Sequence, residues 1–341
     1  MLDKLFESLY LKVFVNIIIK ESSTLVYIEI HSKKGVLDNR QAEFDTLEPN
    51  EKMLDFIQNY IKESPFYYIS VLDNSLLQGA LPTCSKNRLA YYYDLSNCEY
   101  KCYKEKWSYY TAKAELYELE KRYSEIGLDF IFSPFLIIAN FFQDKIKSSL
   151  ALYVLVEENY ISLAVFEESN LLYAEHLDIH AQNEDDEFFL ANDENESVDL
   201  DLQESQAGID LEDIEIDEDD ELEDFADIED LDSIEEIEEF EESKDIEEEL
   251  LESDTVFDEP DEENFNEDYQ RFIAIQSSVA RYYKDERYES RFIENIYIAD
   301  SVSVSSDFKK YLEEEMFLNV YIRHVEIEAE LCELTKEELG L

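Results

Sequence analysis

The chain has 341 residues, of which 45% are hydrophobic and 13% aromatic, so it can build well-packed domains of ordinary size. Its 86 acidic residues far outnumber its 28 lysines and arginines and give a formal net charge of −58 at pH 7. This field disfavours nucleic acid and anionic lipid surfaces as partners, because both are bound through clustered positive charge.

The N-terminal part of the chain predicts a three-stranded antiparallel meander, a helix and a fourth strand. Three runs rich in β-branched and aromatic residues are separated by polar turns at Glu21–Ser23 and Lys33–Gly35, which is typical of hairpins. Met53, Phe56 and Ile57 then recur at helical spacing. The predicted elements are strands at Lys12–Ile19, Thr24–His31 and Val36–Phe44, a helix at Pro49–Glu63 and a strand at Phe66–Leu72.

The segment from Leu76 to Phe142 predicts an inserted subdomain followed by a connector. Its clearest element is a helix over Ala112–Ile126, which Gly127 closes in the usual C-terminal position. Pro134 opens a second helix, since proline is favoured in the first turn. The other predictions are strands at Ala90–Leu95, near Trp107–Tyr110 and at Leu128–Phe132, and a second helix that extends to Phe142.

A second meander follows, in three apolar runs that contain no glycine. Polar turns at Glu157–Asn159 and Glu167–Asn170 separate the runs. After a long acidic tract the chain predicts helix, strand, helix and strand, which is half of an α/β unit. The predicted meander strands are Ala151–Val156, Tyr160–Phe166 and Leu171–Leu177, and the later elements are helix Tyr269–Tyr283, strand Phe292–Ile298, helix Phe308–Glu315 and strand Asn319–Ile322.

The acidic tract, from Glu184 to Asp268, holds 44 acidic residues and one basic residue, Lys244. Apolar residues recur at every third position between Leu222 and Phe240, a period that drifts around an α-helix and keeps no single face apolar. The composition favours a disordered, solvating spacer. A docking segment that orders on a basic or apolar-grooved partner, and metal buffering by massed carboxylates, are the alternatives.

This order of elements resembles the actin-like ATPase superfamily, in particular its PilM and GspL members. The resemblance rests on the two meanders, the connector around Glu125–Phe130 and Ser133–Leu136, and the late segment ENIYIADSVSVSSDFKKYLEEEMFLNV. The resemblance implies a two-lobed, actin-like (ribonuclease H-like) α/β fold with mixed sheets and a long acidic insertion. The predicted bounds are lobe 1 at 1–148 with an inserted subdomain at about 76–126, lobe 2 at 149–182 plus 269–334, and the insertion at 183–268.

The chain departs from the superfamily at the loops that hold nucleotide. Phosphate hairpins need glycine, because only an uncluttered backbone brings its N–H groups against phosphate oxygens. The two hairpins here, NIIIKESSTLVYIEI and VLVEENYISLAVF, contain none, and the second places Glu157 and Glu158 where phosphates lie in relatives. Ala299–Asp300 replaces the paired glycines of the adenosine turn. The sequence therefore predicts a pseudo-ATPase, which is not an enzyme.

Other candidate chemistry is sparse, so the sequence predicts no catalytic, cofactor-binding or metal-binding residue. Cys98 and Cys102 have no second pair nearby and are interpreted as structural, and the four cysteines indicate a reducing compartment, not a disulfide scaffold. His176 and His180 straddle a predicted strand end and need not share a face. The apolar window Leu128–Phe142 is too short to span a membrane.

The resemblance implies a cytoplasmic scaffold, peripheral at the inner membrane. It would bind the N-terminal cytoplasmic tail of a PilN-like single-span inner-membrane protein and form a homo-oligomer or ring. The machine served would be a type IV pilus, a type II secretion system or a flagellar motor, and the sequence identifies no residues of the tail groove. Two alternatives stay open: an acidic adaptor or chaperone acting through residues 184–268, and an actin-like ATPase with residual nucleotide binding.

Overall fold

Strands and helices alternate throughout the computed structural model, which describes residues 10–148, 150–180 and 262–341. The described strands form two five-stranded sheets and one three-stranded sheet. The strands are β1 (Lys12–Ile19), β2 (Thr24–Ser32), β3 (Gly35–Phe44), β4 (Phe66–Leu72), β5 (Gln78–Leu81), β6 (Cys98–Tyr103), β7 (Trp107–Ala112), β8 (Phe130–Phe132), β9 (Ala151–Val156), β10 (Tyr160–Glu167), β11 (Asn170–Asp178), β12 (Asn295–Asp300) and β13 (Asn319–His324). The helices are α1 (Glu51–Ile61), α2 (Lys86–Tyr92), α3 (Lys113–Arg122), α4 (Pro134–Phe141), α5 (Glu262–Lys284), α6 (Ser306–Glu314) and α7 (Ile327–Leu339).

The first large sheet has the strand order β3-β2-β1-β4-β8 and forms lobe 1 together with its helices. Strands β1, β2 and β3 make an antiparallel meander, whereas β1 pairs with β4 and β4 with β8 in parallel. The central strand β1, KVFVNIII, is buried along nearly its whole length because both faces of the sheet are covered. A continuous apolar run is what such a strand requires.

The second large sheet repeats this arrangement in the order β11-β10-β9-β12-β13 and forms lobe 2. Its meander is antiparallel, and β12 pairs in parallel with both β9 and β13. Two mixed sheets of the same order, each a meander continued by parallel strands, constitute the two-lobed actin-like fold. The predicted fold class is confirmed.

Two helices join the lobes. Helix α4, PFLIIANF, is almost entirely buried, and its core cluster includes Tyr153 and Phe166 of the second sheet. Helix α7, which the sequence analysis did not predict, follows the last strand of lobe 2 but contacts β1 and β4 of lobe 1. There the Lys336 ammonium lies 2.6 Å from the Glu29 carboxylate, and Cys332 is fully buried.

The inserted subdomain is a three-stranded antiparallel sheet, ordered β5-β7-β6, with α2 packed against it through Leu89. The predicted strand at Ala90–Leu95 is wrong, because its first residues belong to α2 and the rest are irregular. The tyrosines of this segment suit a strand by propensity, but the helix that forms here buries Leu89 in the core of the subdomain. Strands β5 and β6 were not predicted, since neither QGAL nor CEYKCY is rich in β-branched residues.

A disulfide joins Cys84 to Cys102 within this subdomain, with a Cα–Cα distance of 5.4 Å. Cys98 and Cys332 are free and buried. The interpretation of the cysteines as reduced is therefore corrected for this pair, and the cysteines no longer support the inference of a reducing compartment. The partners meet at the start of β7, because the Cys84 sulfur lies 3.2 Å from the Trp107 carbonyl oxygen and Cys102 of β6 pairs with Ser108. That adjacency depends on the fold of the subdomain and leaves no local signal in the sequence.

The predicted acidic insertion lies in the connection between β11 and α5. Its residues 183–261 are outside the described residues, whereas helix α5 already begins at Glu262. Glu267 and Asp268, which the sequence analysis assigned to the insertion, are therefore part of the helix. Among the helices of the described ranges, none is both long enough and apolar enough to cross a membrane.

Candidate functional site

A cleft of about 640 Å³ lies between the two lobes and is called the interlobe cleft here. The three turns that the sequence analysis compared with nucleotide loops all line it: the β1–β2 turn, the β9–β10 turn and the turn after β12. Strand β3, the start of α5 and the start of α7 complete its wall. The lining residues are Ile18–Glu21, Leu25, Gln41, Glu43, Asn74, Glu157–Tyr160, Glu267, Asp268, Arg271, Ser301–Ser303, Ser305 and His324–Glu328.

The β9–β10 turn contributes a buried carboxyl group to the cleft. Glu157 is only 5% exposed, and its Oε1 accepts a hydrogen bond of 3.1 Å from the Asn74 side-chain amide of lobe 1. Its other oxygen, Oε2, has no hydrogen-bond partner within residues 10–148, 150–180 and 262–341. Burial raises the pKa of Glu157 to about 7, and the bond from Asn74 offsets only part of this rise. The lobes thus meet at Glu157, whose carboxyl group can accept a further hydrogen bond.

The turn after β12 is closed by its own carboxylate. Asp300 accepts hydrogen bonds from the backbone N–H groups of Val302, Ser303 and Val304, at 2.9 to 3.1 Å. The next N–H, that of Ser305, donates to Asp268 at 2.8 Å. Successive backbone N–H groups of this kind form an anion site in many proteins. Here acidic side chains already occupy all four.

Arg271 on α5 anchors this second carboxylate. Its guanidinium lies 2.9 Å from Asp268 and 2.8 Å from Glu267, and it also donates to the carbonyl oxygen of Glu158 at 3.2 Å. Both Arg271 and Asp268 are buried, so the pair joins α5 to the β9–β10 turn and the turn after β12. These residues were not predicted from the sequence. Arg271 follows Asp268 by three positions and Glu267 by four. This spacing is typical of a helical ion pair and could have indicated it.

A second cavity, of about 420 Å³, lies between lobe 1 and the subdomain and is called the subdomain groove here. One wall is β8, the edge strand of the first sheet, together with α3. The other wall is the β6–β7 face of the small sheet. The lining residues are Asp73, Glu99–Lys101, Tyr109, Thr111, Leu116, Glu120, Leu128, Asp129, Ile131 and Ser133.

The subdomain groove is acidic and amphipathic. The described residues give it four carboxyl groups against one cation, Lys101, whose ammonium already lies 3.1 Å from Glu338 of α7. At its base Asp73 is buried and accepts a 2.9 Å hydrogen bond from Thr111, and burial raises its pKa. Within the described ranges, no strand pairs with the outer edges of β8 and β6. Both edges therefore offer backbone groups to an added strand.

The two histidines that the sequence analysis considered together lie in different environments. His176 is buried on β11, where its Nδ1 lies 2.7 Å from the Ser162 hydroxyl, and burial lowers its pKa to about 4. His180 is exposed beyond the strand end. Among the described residues, no three His, Cys, Asp or Glu side chains are placed to hold a metal ion.

Comparison with protein families assigns most of the chain. Residues 152–340, more than half of the sequence, match the family described as Domain of unknown function (DUF8341). The chain belongs to the DUF8341 family. Residues 10–139 match a second family, Domain of unknown function (DUF8569). The DUF8341 segment begins at the first strand of lobe 2, and the DUF8569 segment covers lobe 1 and its subdomain. No curated protein matches the sequence.

The solved structures that are similar to this DUF8341 protein include three of low sequence identity. A Bacteroides thetaiotaomicron protein with an actin-like ATPase fold and unknown function shares 11% identity over 93% of this chain and 92% of its own, with a TM-score of 0.44. The PilM-PilN type IV pilus biogenesis complex shares 9% over 91% and 87%, with a TM-score of 0.48. MreB 5 of Spiroplasma citri bound to AMPPNP shares 10% over 96% and 97%, with a TM-score of 0.42.

Proposed function

We propose that this protein is a non-catalytic, cytoplasmic scaffold of the PilM type, peripheral at the inner membrane. It binds the N-terminal cytoplasmic tail of a PilN-like single-span inner-membrane protein in the subdomain groove. As a homo-oligomer or ring it helps to assemble an envelope-spanning machine. The observation that carries this proposal is the groove itself, which is lined by residues of the edge strands β8 and β6 and combines acidic with apolar side chains.

The two edges support binding of the tail as an extended segment. A peptide that adds to β8 or β6 gains main-chain hydrogen bonds, and its alternate side chains enter the groove. Leu116, Leu128 and Ile131 are partly buried and Tyr100 is exposed, so apolar and aromatic surfaces are available for anchor side chains. Main-chain pairing supplies affinity, and these surfaces supply specificity.

The charge of the groove favours a basic tail. Glu99, Glu120 and Asp129 are exposed along its rim, and the single cation of the groove is already paired. Complementary charge across such a rim mainly raises the association rate and selects the partner. The expected tail therefore alternates apolar residues with lysine or arginine.

The interlobe cleft supports the proposal that the protein is non-catalytic. Its hairpin turns have no glycine, and Asp300 and Asp268 occupy the backbone N–H groups of the third turn. A triphosphate placed there would meet carboxylates in place of backbone donors. Like charge in a partly desolvated site opposes binding strongly.

Co-purification from gently solubilised membranes tests the proposal. The tagged protein should recover one single-span membrane protein in near-stoichiometric amount, and trimming the cytoplasmic tail of that protein should abolish recovery. A double charge reversal in the groove, Glu99→Lys with Glu120→Lys, should weaken binding of the synthetic tail peptide about tenfold or more, which corresponds to about 1.4 kcal/mol.

The matched control is Glu118→Lys, an exposed acid on the same helix as Glu120 that does not line the groove. It should bind the tail like wild type. Equal weakening by the two variants would show a general charge effect and no groove. Recovery of soluble basic proteins only, dependent on residues 184–268, would support the acidic adaptor instead.

A further inference from the structure

The interlobe cleft has the chemistry of a cation site. Among the described residues, eight carboxyl side chains line it against two permanent cations, Lys20 and Arg271. Both cations are already paired, since Lys20 lies 3.0 Å from Glu43 and Arg271 binds Asp268 and Glu267. The remaining acids have no cationic partner among the described residues. Its volume of about 640 Å³ is that of a small-molecule site.

Two buried acceptors in the wall of the cleft lack donors. Glu157 Oε2 and Asn74 Oδ1 have no hydrogen-bond partner in the described part of the chain, although the two side chains contact each other through Asn74 Nδ2 and Glu157 Oε1. Glu157 is 95% buried, so bulk water does not solvate its carboxyl group. A buried acceptor without a partner costs free energy. Both oxygens are enclosed by the protein. An ammonium group, which has three donors and no acceptor, supplies the missing donors when the two side chains turn toward the cleft.

The distribution of the acids favours an elongated ligand over a metal ion. The carboxyl groups come from both lobes, and no three of the described ligand-type side chains converge closely enough to bind a metal. Between them lie apolar surfaces of Ile18, Leu25, Val302 and Ile327. Separated charges joined by apolar stretches complement an aliphatic chain that carries an ammonium group at each end.

We propose that the interlobe cleft binds a linear aliphatic polyamine, with one ammonium group at Glu157 and Asn74 and the others at the remaining unpaired acids of the cleft. In this site the protein uses the position of an actin-like nucleotide cleft for a ligand of opposite charge. Because Glu157 and Asn74 come from different lobes, the ligand bridges them. Its binding does not require the tail-binding function of the subdomain groove.

Isothermal titration of the full chain with spermidine tests this site. At pH 8 and physiological salt we expect one saturable site per chain, distinct from weak binding to the acidic tract. Glu157→Gln should weaken this site about tenfold or more, because it removes the buried charge and keeps the shape. Glu125→Gln, an exposed acid outside the cleft, should bind spermidine like wild type.

Further titrations identify which part of the chain binds spermidine and control for misfolding of the Glu157→Gln variant. Glu326→Gln changes an exposed acid of the cleft, which leaves folding intact, and should weaken binding twofold or more. Unchanged affinity in both Glu157→Gln and Glu326→Gln would overturn the proposal and assign spermidine to the acidic tract. Binding of trilysine or Mg²⁺ where spermidine fails to bind would overturn it as well.

Discussion

The two lobes have one topology and opposite chemistry at the same turn. Lys20 and Glu157 occupy equivalent positions after β1 and β9, and each donates its backbone N–H to the carbonyl three residues later at 2.9 Å. Lys20 is partly exposed and paired with Glu43, whereas Glu157 is buried and lacks a cation. The fold thus determines where a turn lies, and single side chains determine which ligand the turn can bind.

The largest expected effect on stability distinguishes the buried ion pair of lobe 2 from the exposed ion pair of lobe 1. Arg271→Met should destabilise the protein by roughly 3–5 kcal/mol, because it leaves the buried Asp268 without its cation. Lys20→Met breaks an exposed pair in lobe 1 and should cost about 1 kcal/mol or less. Urea denaturation measures both. Equal losses of stability would show that the Arg271–Asp268 pair contributes no more than an exposed ion pair.

A second contrast concerns α7, the lobe 2 helix that packs on lobe 1. Burial alone would raise the pKa of Glu29, but hydrogen bonds from Lys336 and His31 lower it to about 2. Lys336→Met should therefore cost about 3 kcal/mol at pH 7, whereas Lys104→Met, which breaks an exposed pair with Glu337 of the same helix, should cost about 1 kcal/mol or less.

The same pair gives a pH dependence. A depressed carboxyl pKa stabilises the fold above the unfolded value of 4.5, and this contribution is lost as the pH falls toward 2. The stability difference between wild type and Lys336→Met should shrink over that window in urea titrations. A difference that is constant from pH 7 to pH 3 would show that Lys336 acts by packing alone.

The turn of lobe 2 should gain stability when its buried charge is removed. The pKa of Glu157 rises from 4.5 to about 7 on folding, so its contribution is fully present below pH 4.5 and is lost as the pH rises through 7. Glu157→Gln should stabilise the protein by up to about 3 kcal/mol above pH 7 and by little below pH 4.5. His176, Tyr160 and Asn74 face the same region in both proteins, so their effects cancel in the difference.

The matched variant in lobe 1 is Glu21→Gln, an exposed acid of the β1–β2 turn. It should leave the pH profile of stability unchanged. Thermal unfolding between pH 4 and pH 8 compares the two. Parallel profiles for Glu157→Gln and wild type would show that the carboxyl group is not buried in solution.

The smallest expected effect on stability concerns the second turn of each meander, the β2–β3 turn in lobe 1 and the β10–β11 turn in lobe 2. Lobe 1 uses Gly35 at a φ of 120°, whereas lobe 2 places Glu168 and Ser169 at φ values of 48° and 67°, a region that side chains adopt at a cost. Ser169→Gly should stabilise the protein by roughly 0.5–1 kcal/mol, and Gly35→Ala should destabilise it by roughly 1–2 kcal/mol. Melting temperatures that move in one direction for both would contradict this reading of the turns.

The sequence predicts the two meanders well because their signal is local. Apolar runs such as Ala151–Val156 are bounded by polar turns, and the structure has this strand at the predicted bounds. The contacts that build the cleft are not local: Asn74 and Glu157 are 83 residues apart in sequence. Only the resemblance to the actin-like fold indicates that the three turns share one site.

The elements that were missed have ambiguous local patterns. Helix α7 carries its buried Leu331, Cys332 and Leu334 among glutamates, and its burial depends on a sheet formed by the start of the chain. The subdomain strands are short, and Cys84 and Cys102 pair only after those strands are ordered. In each case tertiary packing decides between local alternatives of similar propensity.

The central claim, that the interlobe cleft has exchanged phosphate donors for carboxylates, is tested most directly by titrating the full chain with ATP and Mg²⁺. The account predicts no saturable binding up to millimolar nucleotide and no release of phosphate. Saturable binding at micromolar ATP, weakened by substitutions at the turn of Asp300, would contradict it and restore the residual ATPase as the function of the cleft.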